Sequence, residues 1–287
     1  MTGEKLVVTE IVGGLGNQMF QYAAGRALSL RLGVPLTLDI SAYERYVLHA
    51  FGLNHFAINA KLQKGRPKTL FDRFLRRMGW RTPPTVLREA SMEVDPRFFA
   101  LEGEVRLEGY WQSETYFSEV AEQLRKDFAF PPCSDPQNAE WFARIQADDR
   151  SISLHVRRGD YITNKQANAV HGTCGLDYYQ RAIDHLAQRI GTDMRFYIIS
   201  DDPAWTAENL KLPFDAFYIS HNGPDKNYED MRLMSACRHH VIANSSFSWW
   251  GAWLNPSKDK IVVAPQRWFQ ADHMSAKDLI PQTWVRL

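Results

Sequence analysis

Two arginines stand where an apolar run gives way to a glycine: His155-Val156-Arg157-Arg158-Gly159-Asp160-Tyr161 follows a strand expected over residues 151–156. In open α/β sheets ligands collect beyond the carboxyl ends of the strands. A guanidinium fork at such a place matches the geometry of a phosphate or pyrophosphate. The same residues could instead form a surface ion pair between the arginines and Asp160, so this motif alone leaves both readings open.

A second motif points the same way. Asn244-Ser245-Ser246-Phe247-Ser248 follows a short expected strand and opens a helix expected over 246–254. Unpaired backbone amides and hydroxyls at a helix start hold phosphate, and here they would face the same sheet edge as Arg157. The plainer reading is Ser245 as an ordinary N-cap. His155 reads either as a nucleotide contact or as a core histidine. Trp249, Trp250 and Trp253 crowd two helical turns, a spacing that favours core packing over a sugar platform. Asp201-Asp202, just before Pro203, reads better as a helix cap than as a base contact.

The third motif lies near the start. Gly14-Leu15-Gly16-Asn17-Gln18-Met19 resembles a dinucleotide fingerprint, with Asp39 where an acid would bind a ribose. It fails at the third glycine, because that position must be small for helix and strand to pack closely and Met19 is not. Two readings remain: glycines that let the backbone approach a ligand to which Asn17 offers its amide, or a tight turn with Asn17 capping the helix.

These motifs need a scaffold. The chain has 287 residues, enough for two domains of about 140 residues each. An opening β-α-β unit is expected from a strand over 6–12, a helix over 18–32 ending at Gly33 and a strand over 34–40. Residues 43–103 give no assignable element. A strand over 105–110 and a helix over 113–127, capped by Ser113, follow. Pro131-Pro132 and Asp135-Pro136 mark the boundary between domains 1–135 and 136–287, and the last residues could pack back on the first domain. Beyond the boundary strands and helices alternate: strands over 152–156, 195–200, 216–220, 240–243 and 260–263, with helices over 177–189, after Pro203, over 228–237 and over 246–254. That alternation means a parallel, doubly wound sheet.

Formal net charge is +1, so no global field recruits nucleic acid, and any anion must be held locally. The three cysteines, Cys133, Cys174 and Cys237, lack metal or disulfide spacing, and no metal site is expected. No stretch reaches the roughly 18 apolar residues of a membrane span. A soluble protein in a reducing compartment, the cytoplasm, is expected.

The segments GGLGNQMFQYA from Gly13, HVRRGDY from His155 and NYEDMRLMSACRHHVIANSSFSWWGAWLN from Asn227 occur in this order and at these separations in glycosyltransferase family 11. The chain therefore resembles the bacterial α-1,2-fucosyltransferases of that family over most of its length. It also looks like a member of the wider superfamily of α-1,6- and protein O-fucosyltransferases. The resemblance implies a GT-B type fold, two facing Rossmann-like domains with GDP-fucose on the second. It further implies inverting transfer of L-fucose to the 2-hydroxyl of a terminal β-galactoside, on an oligosaccharide or glycolipid, with at most peripheral membrane contact. It implies that Arg157 contacts the diphosphate while Arg158 is more structural, and that His155 lies against the nucleotide. Asn244, Ser245, Ser246 and Phe247 would form the phosphate site, Asp230 would accept from guanine N1 and N2, and Asn17 would reach the fucose. No cofactor and no metal would be required. No general base is singled out, and residues 43–103 carry no family motif. A fucosyltransferase of another linkage or acceptor, or a non-catalytic GDP-sugar binding protein, would share these residues.

Overall fold

The computed structural model describes residues 5–44, 49–65 and 84–287, and its contacts divide the chain into two units, 1–129 and 130–287.

In the first unit, strand β1 (Val7–Glu10) leads through Gly13-Gly14 into helix α1 (Leu15–Leu32). Gly14 is the N-cap, so the helix starts earlier than expected and takes in Asn17 as part of its first turn. Gly33 closes it in the left-handed conformation (φ 65°), its N–H returning to Ser29 and Leu30 carbonyls. The close approach of helix to strand comes at Gly25, where a Cβ would strike Thr9 Oγ1. Strands β2 (Leu36–Asp39), β3 (Lys61–Gln63), β4 (Thr85–Arg88) and β5 (Val105–Glu108) complete a parallel sheet in the order β3-β2-β1-β5-β4. Two of these strands fall in the stretch that gave no assignable element. They are short, and β4 alternates without a consistent apolar face. The helix expected over 113–127 is instead two 3₁₀ turns followed by α2 (Ala121–Asp127), with Ser113 capping the first 3₁₀ turn. Asp127 anchors α2 to α1, accepting from Tyr22 Oη at 2.7 Å and Arg26 Nε at 3.0 Å inside the core.

The second unit opens with α3 (Pro136–Gln146), a helix absent from the sequence reading. Asp135 caps it by accepting from Gln137 and Asn138 N–H groups, and Pro136 takes the first helical position; read as punctuation, the Asp-Pro pair is a helix start. There follow β6 (Ser151–Val156), α4 (Gly159–Thr163), α5 (Lys165–His171), α6 (Leu176–Ile190), β7 (Arg195–Ser200), α7 (Pro203–Asn209) and β8 (Asp215–Ile219). Then come α8 (Asn227–Ala236), β9 (His239–Val241), α9 (Ser246–Leu254), β10 (Val262–Ala264) and β11 (Val285–Arg286). The parallel sheet runs β11-β10-β9-β6-β7-β8. Every residue of β6 is buried, as a strand covered on both faces must be. Its neighbours are β7 on one side and β9 on the other, so the winding reverses beside β6. Beyond the carboxyl ends of β6 and β9 lies the topological switch point, where doubly wound sheets bind ligands.

Trp249 and Trp250 are fully buried and Trp253 nearly so. Trp249 donates its indole N–H to the Leu279 carbonyl at 3.0 Å. These rings are core, and they fix the axis of α9.

Candidate functional site

Arg157 leaves β6 at the switch point. Its Nη1 lies 3.1 Å from Asp201 Oδ2, and its guanidinium sits 5.3 Å above the Tyr161 ring. Arg158 does something different: its backbone N–H donates to Asp201 Oδ1 at 2.8 Å, its Nε approaches Asp202 Oδ2 at 3.3 Å, and its guanidinium stacks 3.5 Å from the Trp205 ring centroid. The carboxylates facing the arginine pair thus come from the turn after β7. Gly159 packs closely there, and a Cβ on it would push the Asp201 carboxylate aside. Asp202 also caps α7 by accepting from Trp205 N–H. Arg158→Ala should therefore lower unfolding stability by about 1–2 kcal/mol, the worth of a part-buried cation–π contact and ion pair. Urea melts measure this, and an unchanged midpoint would show the stacking to be idle.

Beyond the adjacent strand β9, Asn244 is a structural member. Its Nδ2 donates to the carbonyls of His171 (2.9 Å) and Trp268 (3.1 Å), and its Oδ1 accepts from the Cys174 thiol at 3.5 Å. The amide is thus committed to holding loops around the helix start. Ser245 takes the N-cap position, yet its hydroxyl makes no capping hydrogen bond. The first-turn amides of α9 therefore do not have the Ser245 side chain as partner, which separates this start from an ordinary serine cap. Ser246 and Phe247 are half-buried at the surface of that turn.

His155 faces this turn from β6, its ring 5.8 Å from Phe247. Burial, reinforced by the charge of Arg157, pushes its pKa down to about 3. The imidazole is neutral at physiological pH and acts only as a hydrogen-bonding ring. Its Nδ1 is buried and makes no hydrogen bond among the described residues, an exception to the rule that buried polar atoms are paired.

Asp230, on α8, belongs to a polar chain that sequence reasoning missed. Asn222 Nδ2 donates to Asp230 Oδ1 at 2.7 Å. Asn222 and the fully buried Asn138 of α3 exchange amide hydrogen bonds of 2.8 and 3.0 Å, and His221 Nε2 lies 2.9 Å from Asn138 Oδ1. Burial pushes the Asp230 carboxyl up to about 7, against the opposing hydrogen bond from Asn222. The available signal for Asn138 was the Asp-Pro helix start three residues earlier.

Asn17 belongs to the first unit. It occupies the first turn of α1 behind the Gly14 cap, so it is not the cap itself. Gln112 Nε2 donates to its Oδ1 at 2.8 Å. Gly13 (φ 82°) is glycine for two reasons, the left-handed backbone and a Cβ that would stand 2.8 Å from Asn17 Nδ2. Gln112 follows Trp111, which holds a left-handed φ of 58°. The Glu89 carboxylate accepts from the N–H groups of Tyr110 and Trp111, and so fixes that turn. Asp39 is buried, with Arg106 Nη2 at 2.8 Å and Ser41 as partners. It is a structural carboxylate rather than a ribose contact.

Among the described residues no group of three or more His, Cys, Asp or Glu side chains could hold a metal ion. Among them, too, no helix is long and apolar enough to cross a membrane. A cavity of about 250 Å³ is lined by His171, Cys174, Arg181 and Arg267 among others. Of the site residues named above, Asn244 alone touches it.

The family model described as "Glycosyl transferase family 11" matches residues 2–287. An α-1,2-colitosyltransferase of Escherichia coli is 36% identical, covering 98% of this chain and 99% of that protein. A bovine (Bos taurus) galactoside 2-alpha-L-fucosyltransferase, SEC1, is 26% identical over 84% of this chain and 62% of its own length. Among solved structures, the fucosyltransferase NodZ from Bradyrhizobium has a TM-score of 0.51 at 13% identity, covering 89% of this chain and 94% of that one. With two parallel-sheet units, that likeness identifies the fold as GT-B.

Proposed function

The chain belongs to glycosyltransferase family 11, and we propose that it transfers L-fucose from GDP-fucose to the 2-hydroxyl of a terminal β-galactoside, with inversion. The observation that carries this reading is that Arg157 and the α9 helix start follow the carboxyl ends of two neighbouring strands, β6 and β9, at the switch point of the second sheet. Negative charge grows on the β-phosphate as the glycosidic bond to GDP breaks. Arg157 and the first-turn amides of α9 would stabilise that charge, and one preorganised donor of this kind is worth about 2.7–4 kcal/mol. His155 would lie against the nucleotide through its neutral ring, and Asp230 would accept from guanine N1 and N2. Asn17, held by Gln112, would orient the fucose or the incoming hydroxyl. The three free cysteines suit the cytoplasm, where thiols stay reduced.

Colitose is fucose without its 3-hydroxyl, so the colitosyltransferase relative supports a second reading of the donor. Purified protein supplied with GDP-fucose or GDP-colitose and lactose, followed by NMR of the product, separates the two. The expected product is an α-1,2-linked fucoside. Transfer from GDP-colitose alone would move the donor assignment, and GDP binding without transfer from either sugar would favour a GDP-sugar binding protein.

Metal-independence is part of the proposal. Asp201 and Asp202, the acidic pair beside the cradle, are already matched to Arg157 and Arg158, and the cradle supplies its own positive charge. Turnover is expected to persist in excess EDTA. Loss of turnover restored by Mg²⁺ or Mn²⁺ would overturn this and point to Asp201 and Asp202 as ligands.

A further inference from the structure

Tyr161 ends the arginine motif, and neither the sequence reading nor the proposed chemistry gives it a task. Its ring is one layer of a stack. The Arg157 guanidinium lies 5.3 Å from its centroid. The His171 imidazole lies 4.8 Å from the same ring at an interplanar angle of 6°, and Phe269 follows at 5.8 Å from His171. The Tyr161 hydroxyl points to the Asn244 carbonyl at 3.4 Å, a long and weak hydrogen bond. The backbone at Tyr161 is fixed too, since Asn168 Nδ2 donates to its carbonyl at 2.6 Å.

These contacts join both halves of the diphosphate cradle. Arg157 immediately follows β6, and Asn244 immediately precedes Ser245, the N-cap of α9. Tyr161 presents its ring to the first at cation–π distance and its hydroxyl to the second. Asp201 holds one edge of the Arg157 guanidinium; an edge contact restrains the group in its plane, whereas a ring beneath restrains it perpendicular to that plane. Arginine stacks on aromatic faces because its cation is planar and weakly hydrated. Four rotatable side-chain bonds would otherwise leave the guanidinium loosely placed, and misplacement of about 1 Å can cost about 10²-fold in rate.

We propose that Tyr161 is a positioning residue for Arg157, its ring setting the height of the guanidinium over the diphosphate. The inference rests on the proposed function, because it takes Arg157 to act on a nucleoside diphosphate.

The test is a double-mutant cycle on the full chain, with Tyr161→Leu, Tyr161→Phe, Arg157→Lys and the Leu/Lys double variant, read by kcat, KM for the donor and calorimetric GDP affinity. Tyr161→Leu is expected to lower kcat by at least about tenfold with a smaller change in donor KM, since the placed charge acts on a group that becomes more negative in the transition state. Tyr161→Phe should recover most of that loss, because it keeps the face. In the Arg157→Lys background, Tyr161→Leu should cost less than threefold more, because its effect is routed through the arginine. Equal kcat losses from Tyr161→Leu in both backgrounds, or a Tyr161→Leu enzyme as fast as the parent, would overturn the proposal. If Tyr161→Leu fails to fold, Tyr161→Phe and Tyr161→Trp carry the test: both should keep at least a third of parental kcat, and a tenfold loss in either folded variant would overturn it. Parent protein that neither binds GDP nor transfers would instead mark failure of the proposed function.

Discussion

Arg157→Ala is expected to lower kcat by about 10²–10³-fold in a protein that remains folded, because the arginine is asked to stabilise charge that develops only as GDP departs. Donor KM should move much less. The Arg157 guanidinium contacts a carboxylate edge and an aromatic face at the carboxyl end of the sheet rather than in the apolar core, so stability should fall by about 1 kcal/mol. Unchanged kcat in the folded variant would remove Arg157 from the chemistry. The contrast with Arg158→Ala, where stability is the main loss, tests whether the two adjacent arginines divide their work.

Asp230→Asn is expected to weaken GDP binding by about 10²-fold and to erase most of the preference over ADP. The carboxylate can accept from both guanine N1–H and N2–H, while an amide offers one acceptor and brings a donor against a donor. The parent should also show a pH dependence that the variant lacks. Burial holds the Asp230 carboxyl near 7 in the free protein, and guanine needs the ionised form. Binding must then expel a proton below pH 7, and GDP affinity should fall by up to about tenfold per pH unit as pH drops beneath that value. Calorimetry across pH 5.5–8.5, in buffers of different ionisation enthalpy, reads both affinity and proton release. A flat profile for the parent, or an Asp230→Asn protein as selective for GDP as the parent, would reduce Asp230 to a helix residue.

The second unit was the more legible of the two. Its inner strands β6 and β7 are largely buried runs separated by amphipathic or capped helices, and β7 begins and ends at the expected residues. The motif-bearing turns follow from that alternation, since a doubly wound parallel sheet puts every βα turn on one edge. Less legible was what each polar residue does once there. Asn244 lies beside the serines in sequence, but its amide is spent on three carbonyls from distant loops. The carboxylates beside Arg157 and Arg158 come from more than forty residues away, at Asp201 and Asp202; strand adjacency, which pairs β6 with β7, rather than local spacing brings them together. In the first unit, the third-glycine test located the misfit at Met19 without revealing that Gly25 provides the close contact with β1. Strands β3 and β4 have three and four residues and exposed faces, leaving almost no periodicity to read. Gln112 and Glu89, which orient Asn17 through the left-handed turn at Trp111, had no sequence signal because the strain that marks them is a backbone property.

A crystal structure of this chain with GDP tests the central claim most directly. The account predicts the β-phosphate within hydrogen-bonding distance of the Arg157 guanidinium and the amides at the start of α9, with the guanine edge on Asp230 and the His155 ring against the nucleotide. A diphosphate seated instead on the Gly13-Gly14 turn of the first unit, with Arg157 still paired to Asp201 and no nucleotide near Ser245, would contradict it.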